Sequence, residues 1–478
     1  MLSIHAPESS PRHRGLGRRE FLRIGTMSLF GATMSAWPGA GTFGPSTAAA
    51  AELLKPYATG RSVVLLFLGG GPSHIELFDP KMTAPAEFRS ITDEVATAHP
   101  GITFGGTFPQ LAALAKKFSI VRTFQSRNGG HEYDSVTTAG NVTKAALGAI
   151  YSRIVGTNHP LTGAPTHTLL LPEAVAPPKY PIGRNFETGH LPGLTQTGTI
   201  GASFQAFNPS GGGPLQQDMQ MAIPPERFID RRSLLSGLDR LRREMDASGR
   251  IEGFDRLQQQ AYDVITGGVA QAFDLANEDP RSIARYDTSH CFRVEDVQRW
   301  GDMRRSTNLL GKQMLLARRL VESGVGFVTV SDCGWDMHSN GNSPKGLGGM
   351  RWLGPQVDHA VAAFIEDCEA RGLQDKVLLV VTGEMGRTPR INGNGGRDHY
   401  GELTPLLVYG GGLKMGKVVG QSDANATRPA TEAYTPSHLL STIMHSQFDL
   451  PQLRLDPSLS SDVVSAAQSG TPIGPLMA

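Results

Sequence analysis

RSVVLLFLGGG, residues 61–71, is a continuous apolar run that ends in three glycines. A strand with one wet face would alternate apolar and polar residues. An unbroken run of this length reads as a buried parallel strand followed by a loop. The same grammar recurs along the chain. FSIVRTF at 118–124, VGFVTVS at 325–331, KVLLVVT at 376–382 and TPLLVYGGG at 404–412 read as further strands. Helical periodicity lies between them. FPQLAALAKKF at 108–118 places Leu111, Leu114 and Phe118 near one face. NLLGKQMLLARRLVESG at 308–324 is a second helix. In WLGPQVDHAVAAFIEDCEARG, at 352–372, Val357, Val361, Phe364, Ile365 and Cys368 point inward. TPSHLLSTIMHSQ at 435–447 is the last helix, with Thr435 as N-cap and Pro436 at its first position. Strand alternating with helix implies an α/β fold: a mostly parallel sheet with helices on both faces.

Two stretches depart from this rhythm. Residues 142–225 are rich in Gly, Pro and polar residues and read as loops. Residues 226–285 read as helical, clearest in RRSLLSGLDRLRREMD, where Leu234, Leu235, Leu238 and Leu241 form one stripe. Together they are expected to form a loop-rich and helical insertion, about 142–300, in a single domain spanning 51–478.

The first 50 residues read separately. SPRHRGLGRREFLRIG is basic, IGTMSLFGATMSAW is short and mildly apolar, and AGTFGPSTAAA supplies small residues for cleavage. The apolar part is too short for a membrane span, so the segment reads as an export signal. Arg18–Arg19 followed by Phe21–Leu22 resembles a twin-arginine signal, which implies the twin-arginine export machinery as a partner and a periplasmic or extracellular location. The chain has 478 residues, 39% of them hydrophobic, and a formal charge of +1, so nothing in its charge points to nucleic acid. Three cysteines, Cys291, Cys333 and Cys368, make no disulfide framework and no CxxC metal motif.

In parallel sheets, ligands bind beyond the carboxyl ends of the strands. Polar loops at 69–79, 124–135, 332–341 and 383–400 each follow an expected strand, so they are expected to share one edge. Asp336 and His338, two apart, can offer an oxygen and a nitrogen to one ion; Zn, Mn or Fe suit that mixture better than Mg or Ca. A solvated turn is the plainer reading of the pair. Glu384 sits at the mouth of a buried strand, where a bare carboxylate needs a metal or an arginine such as Arg387. Asp398 and His399 are adjacent, so in extended chain only one of them faces the site. Arg387 and Arg397 carry the guanidinium forks that match a phosphate or sulfate. His74, near Ser73, Glu76 and Asp79, and His131, after two glycines, are further candidates. His359, His438 and His445 fall on expected helices and read as structural. No GxSxG elbow is present, which disfavours a Ser-His-Asp hydrolase.

GGGPSHIELFDPK, GWDMHSN, GEMGRTPRINGNGGRDHY and GGLKMGKVVGQSD, in this order, closely resemble the family known as domain of unknown function 1501, over about residues 60–465. The family looks like part of the alkaline phosphatase and sulfatase superfamily. The resemblance implies a sulfatase-like α/β fold and a divalent metal (Zn, Mn, Fe or Ca). Asp336 and His338 match one ligand group, Glu384 the acid of another, and His399 a final ligand. It also implies a nucleophile at the helix after the second strand, where Ser126 and His131 stand nearest but CxPxR and SxPxR are absent. The first strand lacks the superfamily's acidic ligand; His74, Glu76 or Asp79 would have to stand in. The expected activity is therefore a metal-dependent phosphate or sulfate ester hydrolase, not of formylglycine type, with an anionic or sulfated glycan as substrate. An inactive sulfatase-like protein that binds glycans or anions, and a structural role in a surface polysaccharide system, are the alternatives.

Overall fold

A computed structural model describes residues 55–210 and 270–477. The expected export segment at 1–50 and the amphipathic stretch at 231–246 lie outside the described residues. Eleven strands are found in chain order among them: β1 Ser62–Gly69, β2 Glu94–Ala96, β3 Thr103–Gly105, β4 Ser119–Val121, β5 His167–Leu170, β6 Phe327–Cys333, β7 Val377–Thr382, β8 Gly386–Arg387, β9 His399–Tyr400, β10 Leu407–Gly410 and β11 Val418–Val419. The helices that matter here are α1 His74–Leu77, α2 Pro109–Ala113, α3 Asp134–Thr137, α4 Leu147–Val155, α5 Glu187–His190, α6 Leu310–Glu322, α7 Met350–Ala370, α8 Pro436–Gln447 and α9 Ser461–Ala467.

Seven strands form one sheet in the order β11-β4-β10-β7-β1-β6-β5. β1 is central and pairs in parallel with β6 on one side and β7 on the other. β10 runs antiparallel to both β7 and β4, and β11 is parallel to β4. The sheet is thus mixed: β10 alone is reversed, and the other six strands point the same way.

The unbroken apolar run at 61–71 follows from burial on both faces. Val64, Leu66 and Leu68 belong to the core beneath α2, α6 and α7. Val63, Leu65 and Phe67, the alternate set, belong to the opposite core beneath α4, α8 and α9. Both sets are at most 2% exposed, so period-two geometry holds although no residue in either set is polar. On α7 the expected inward stripe of Val357, Val361, Phe364, Ile365 and Cys368 is buried. At the start of α8 the Thr435 N–H donates to His438 Nδ1 at 3.1 Å, which gives His438 a structural role. His359 meets the Gln110 side chain on the other side of the sheet, and His445 Nδ1 donates to the Ser441 carbonyl within α8.

The stretch 142–210 is less loop-like than its composition suggests. It holds α4 and also β5, which pairs in parallel with β6 and forms a sheet edge. A four-residue edge strand leaves too short a pattern to stand out among prolines and glycines. This part of the expected insertion therefore belongs to the sheet itself.

Four of the like-directed strands, β1, β4, β6 and β7, release the four polar loops at the same edge. Gly70, at φ +109°, is where two of these loops cross. A Cβ there would lie 2.6 Å from the Asp336 nitrogen and 2.9 Å from Glu187 Oε1, so only glycine lets the β1 and β6 exits approach this closely.

Candidate metal centre

Asp336, 3% exposed, is the hub of the edge. Three histidines from three loops turn their Nε2 atoms toward its carboxylate. His338 Nε2 lies 3.1 Å from Oδ2, His399 Nε2 3.2 Å from Oδ1, and His131 Nε2 3.7 Å from Oδ2. The Asn342 amide donates to Oδ2 at 3.1 Å, and the Arg387 guanidinium donates to Oδ1. β4 delivers His131 and β6 delivers Asp336 and His338. The short β8–β9 hairpin, pairing Arg387 with His399, folds His399 back over the exit of β7.

Two of the rings are fixed from behind. His131 Nδ1 is 2.8 Å from Glu384 Oε1, and His399 Nδ1 is 3.2 Å from the Gly129 carbonyl. The Gly129 carbonyl only accepts, so His399 Nδ1 carries a proton and its Nε2 is the remaining nitrogen. A neutral ring would then set a lone pair against the Asp336 oxygen. That contact requires a second proton on the ring or a cation between the two atoms. The ligand atoms form two groups that can hold a metal ion, His131–Asp336–His399 and Asp302–Asp336–His338, which share Asp336. A carboxylate at the centre of imidazoles is an O/N donor set suited to Zn, Mn or Fe.

The local field matches this arrangement. Asp336 loses hydration by burial, but its hydrogen bonds to His131, His338 and His399 and the charge of Arg387 hold its pKa far below the usual carboxylate range. Burial works against a charged His131. Its hydrogen bonds to Asp336 and Glu384 outweigh burial and raise its pKa to about 9. The hydrogen bond to Asp336 also raises the pKa of His338. Asp302 is pushed up to about 6, first by burial and then by the neighbouring charge of Asp336.

Residues 60–452 match the family described as "Protein of unknown function (DUF1501)". The chain belongs to the DUF1501 family. No curated protein matches it. In this DUF1501 chain no helix among the described residues is long and apolar enough to cross a membrane.

The structure separates the sequence-derived candidates into three sets. His131, Asp336, His338 and His399 converge. Glu384, fully buried, stands one step behind them: it accepts the Gly70 N–H at 3.0 Å and the His131 ring, and belongs to neither ligand group. Its partner is a histidine and a backbone amide, not Arg387.

The third set offers no ligand atom. Arg397 is fully buried with its guanidinium against Glu76 at 3.1 Å and the Arg89 carbonyl at 2.8 Å. Arg387 is equally buried and donates to the Gly71 carbonyl at 2.7 Å as well as to Asp336. Neither is turned outward as an oxyanion clamp, because each is saturated by acceptors inside the loops. His74 is buried, with Nε2 3.2 Å from the Ala426 carbonyl and its pKa lowered to about 4 by burial; it joins no ligand group. Asp398 is exposed, accepts from the Asn392 amide at 2.8 Å and joins no ligand group. Ser126 is tucked against the Thr404 hydroxyl at 3.1 Å.

Two participants carry no sequence signal. Asp302 lies in a short turn, Asp302–Arg305, outside the strand–helix alternation. Glu187 opens the four-residue α5 in the glycine- and proline-rich stretch. Beside it, the Phe186 ring packs on His131 with centroids 4.3 Å apart.

Proposed function

We propose that this protein is a metal-dependent hydrolase of phosphate or sulfate esters. The observation that carries the reading is the buried Asp336 carboxylate ringed by three imidazole Nε2 atoms at the strand-exit edge. In this reading, His131, His338, His399, Asp336 and Asp302 hold one or two divalent ions. A bound divalent ion would supply Lewis acidity and a lowered pKa for water. The chain's own residues do the rest. Glu384 keeps the proton of His131 on Nδ1 and so aims Nε2 at the centre. Arg387 fixes Asp336 in place. His338 and His399, about one third exposed, leave the centre open to solvent on one side.

The wider proposal includes an alkaline-phosphatase-like single domain over 51–478, export through the twin-arginine machinery to the periplasm or beyond, and an anionic or sulfated glycan as substrate. A second reading, binding of anions or glycans without turnover, is favoured by one observation. Ser126, one of the two residues nearest the expected nucleophile position, is hydrogen-bonded to Thr404 and is absent from the cluster.

Metal analysis of residues 51–478, purified without chelators or a metal column, decides between them. One or two equivalents of Zn, Mn, Fe or Ca are expected, reduced at least tenfold in His338→Ala and His399→Ala. Turnover of phosphate or sulfate esters by the metal-loaded protein should be abolished by chelation. No bound metal and no thermal stabilisation by added ions would leave the binding reading.

A further inference from the structure

Glu187 is fully buried beneath the centre, yet it comes from a stretch with no strand–helix pattern. Its Oε1 accepts the Gly334 N–H at 3.0 Å. Gly334, at φ +104°, is the first residue beyond β6 and lies two before Asp336. The next residue, Trp335, donates its N–H to the Gly69 carbonyl at 3.1 Å. The backbone that presents Asp336 is thus held by β1 on one side and by Glu187 on the other.

Asn185 extends the tie. Its side-chain oxygen accepts the Glu187 N–H at 3.1 Å, and its amide reaches Glu187 Oε2 at 3.1 Å. The same amide donates to the backbone carbonyl of Asp302. One three-residue turn therefore grips both carboxylate-bearing segments, Gly334–Asp336 and Asp302, although they lie on different elements. Burial pushes the Glu187 carboxyl up to about 8, although both of its oxygens accept N–H donors, one from Gly334 and one from Asn185.

We propose that Glu187 is a positioning residue for the metal centre: through Gly334 and Asn185 it sets how Asp336 and Asp302 stand relative to each other. The proposal rests on the metal reading above. Residues that orient ligands from behind typically change metal affinity ten- to a hundredfold when removed.

The test is titration of the full mature chain with Co2+, reading the visible absorption spectrum and the dissociation constant. Wild type, Glu187→Gln, Glu187→Ala and Asn185→Ala are compared, with near-ultraviolet circular dichroism to show that each is folded. Glu187→Gln keeps an acceptor for the Gly334 N–H but sets an NH2 against the Asn185 amide, so it is expected between wild type and Glu187→Ala. Glu187→Ala and Asn185→Ala are expected to bind about ten- to a hundredfold more weakly with shifted bands. If Glu187→Ala does not fold, Asn185→Ala still decides. A folded alanine variant, at Glu187 or at Asn185, with wild-type affinity and spectrum overturns the proposal. Failure of wild type itself to bind Co2+ is a different result: it removes the metal reading and this role together.

Discussion

His131 holds its charge because two acids face it from opposite sides. Burial alone would leave the ring neutral, and the hydrogen bonds to Asp336 and Glu384 reverse that, placing its pKa at about 9. A metal can bind only the neutral ring, so an ion must displace this proton. Below pH 9 the ring is protonated in the metal-free protein. Apparent affinity should therefore rise with pH, about tenfold per unit for one displaced proton, and level off above about pH 9. Calorimetry at pH 7 in buffers of different ionisation enthalpy should show at least one proton released per ion. A buffer-independent heat would remove His131 from the ligand set. The residue-scale site was legible where a functional group lies in a polar loop that follows a strand, as Asp336 and His338 do after β6, His131 after β4 and His399 after β7. What the sequence cannot show is which way a long side chain reaches. Arg387 and Arg397 look like anion clamps on paper, but their guanidiniums turn inward to Asp336, Glu76 and carbonyl groups. Glu187 and Asp302 are illegible for a different reason: they reach the centre through turns with no periodicity to announce them.

The elements that frame the site are held by ion pairs as much as by apolar contact. The loop between β8 and β9 is anchored by Arg397, whose carboxylate partner among the described residues, Glu76 on α1, is fully buried with it. Removing one member of such a pair leaves an uncompensated charge in the interior. Glu76→Ala should therefore lower stability by about 3–5 kcal/mol, measured by denaturant unfolding. It should also loosen the hairpin that carries His399, seen as faster amide exchange at His399 and Tyr400. An exposed pair would cost less than about 1 kcal/mol, so a loss that small would refute the anchoring role. At this scale the sequence was most readable. β1, β6 and β7 stand out because burial on both faces removes polar residues from the run, and α7 because its apolar stripe, Val357 to Cys368, spans about three turns. β5 and β11 are too short to carry a pattern; they are strands because neighbours already in place offer an edge.

For the whole molecule, two buried histidines outside the ligand groups set the acid limit. Burial lowers the pKa of His74 to about 4 and of His167 to about 3, against about 6.5 in an unfolded chain. Between those values the unfolded state binds protons that the folded state refuses. Their contribution is thus complete above pH 6.5 and is lost as pH falls toward 4 and then 3, on the order of a few kcal/mol for each ring. Denaturation midpoints at pH 7.5, 6 and 4.5 should fall in that order, and His167→Leu should flatten the decline. An unchanged slope in that variant would assign the acid limit elsewhere.

The central strand has one more consequence, and it concerns time. β1 closes at Gly69, but its two neighbours begin at Phe327 and Val377. A ribosome adding about 5–20 residues per second needs tens of seconds to cover that gap. Throughout it, the most apolar segment of the growing chain has no partner on either edge. Pairings this distant in sequence are slow to form and exposed to aggregation while they wait. β1 therefore waits unpaired on both edges until β6 emerges, and on one edge until β7 does.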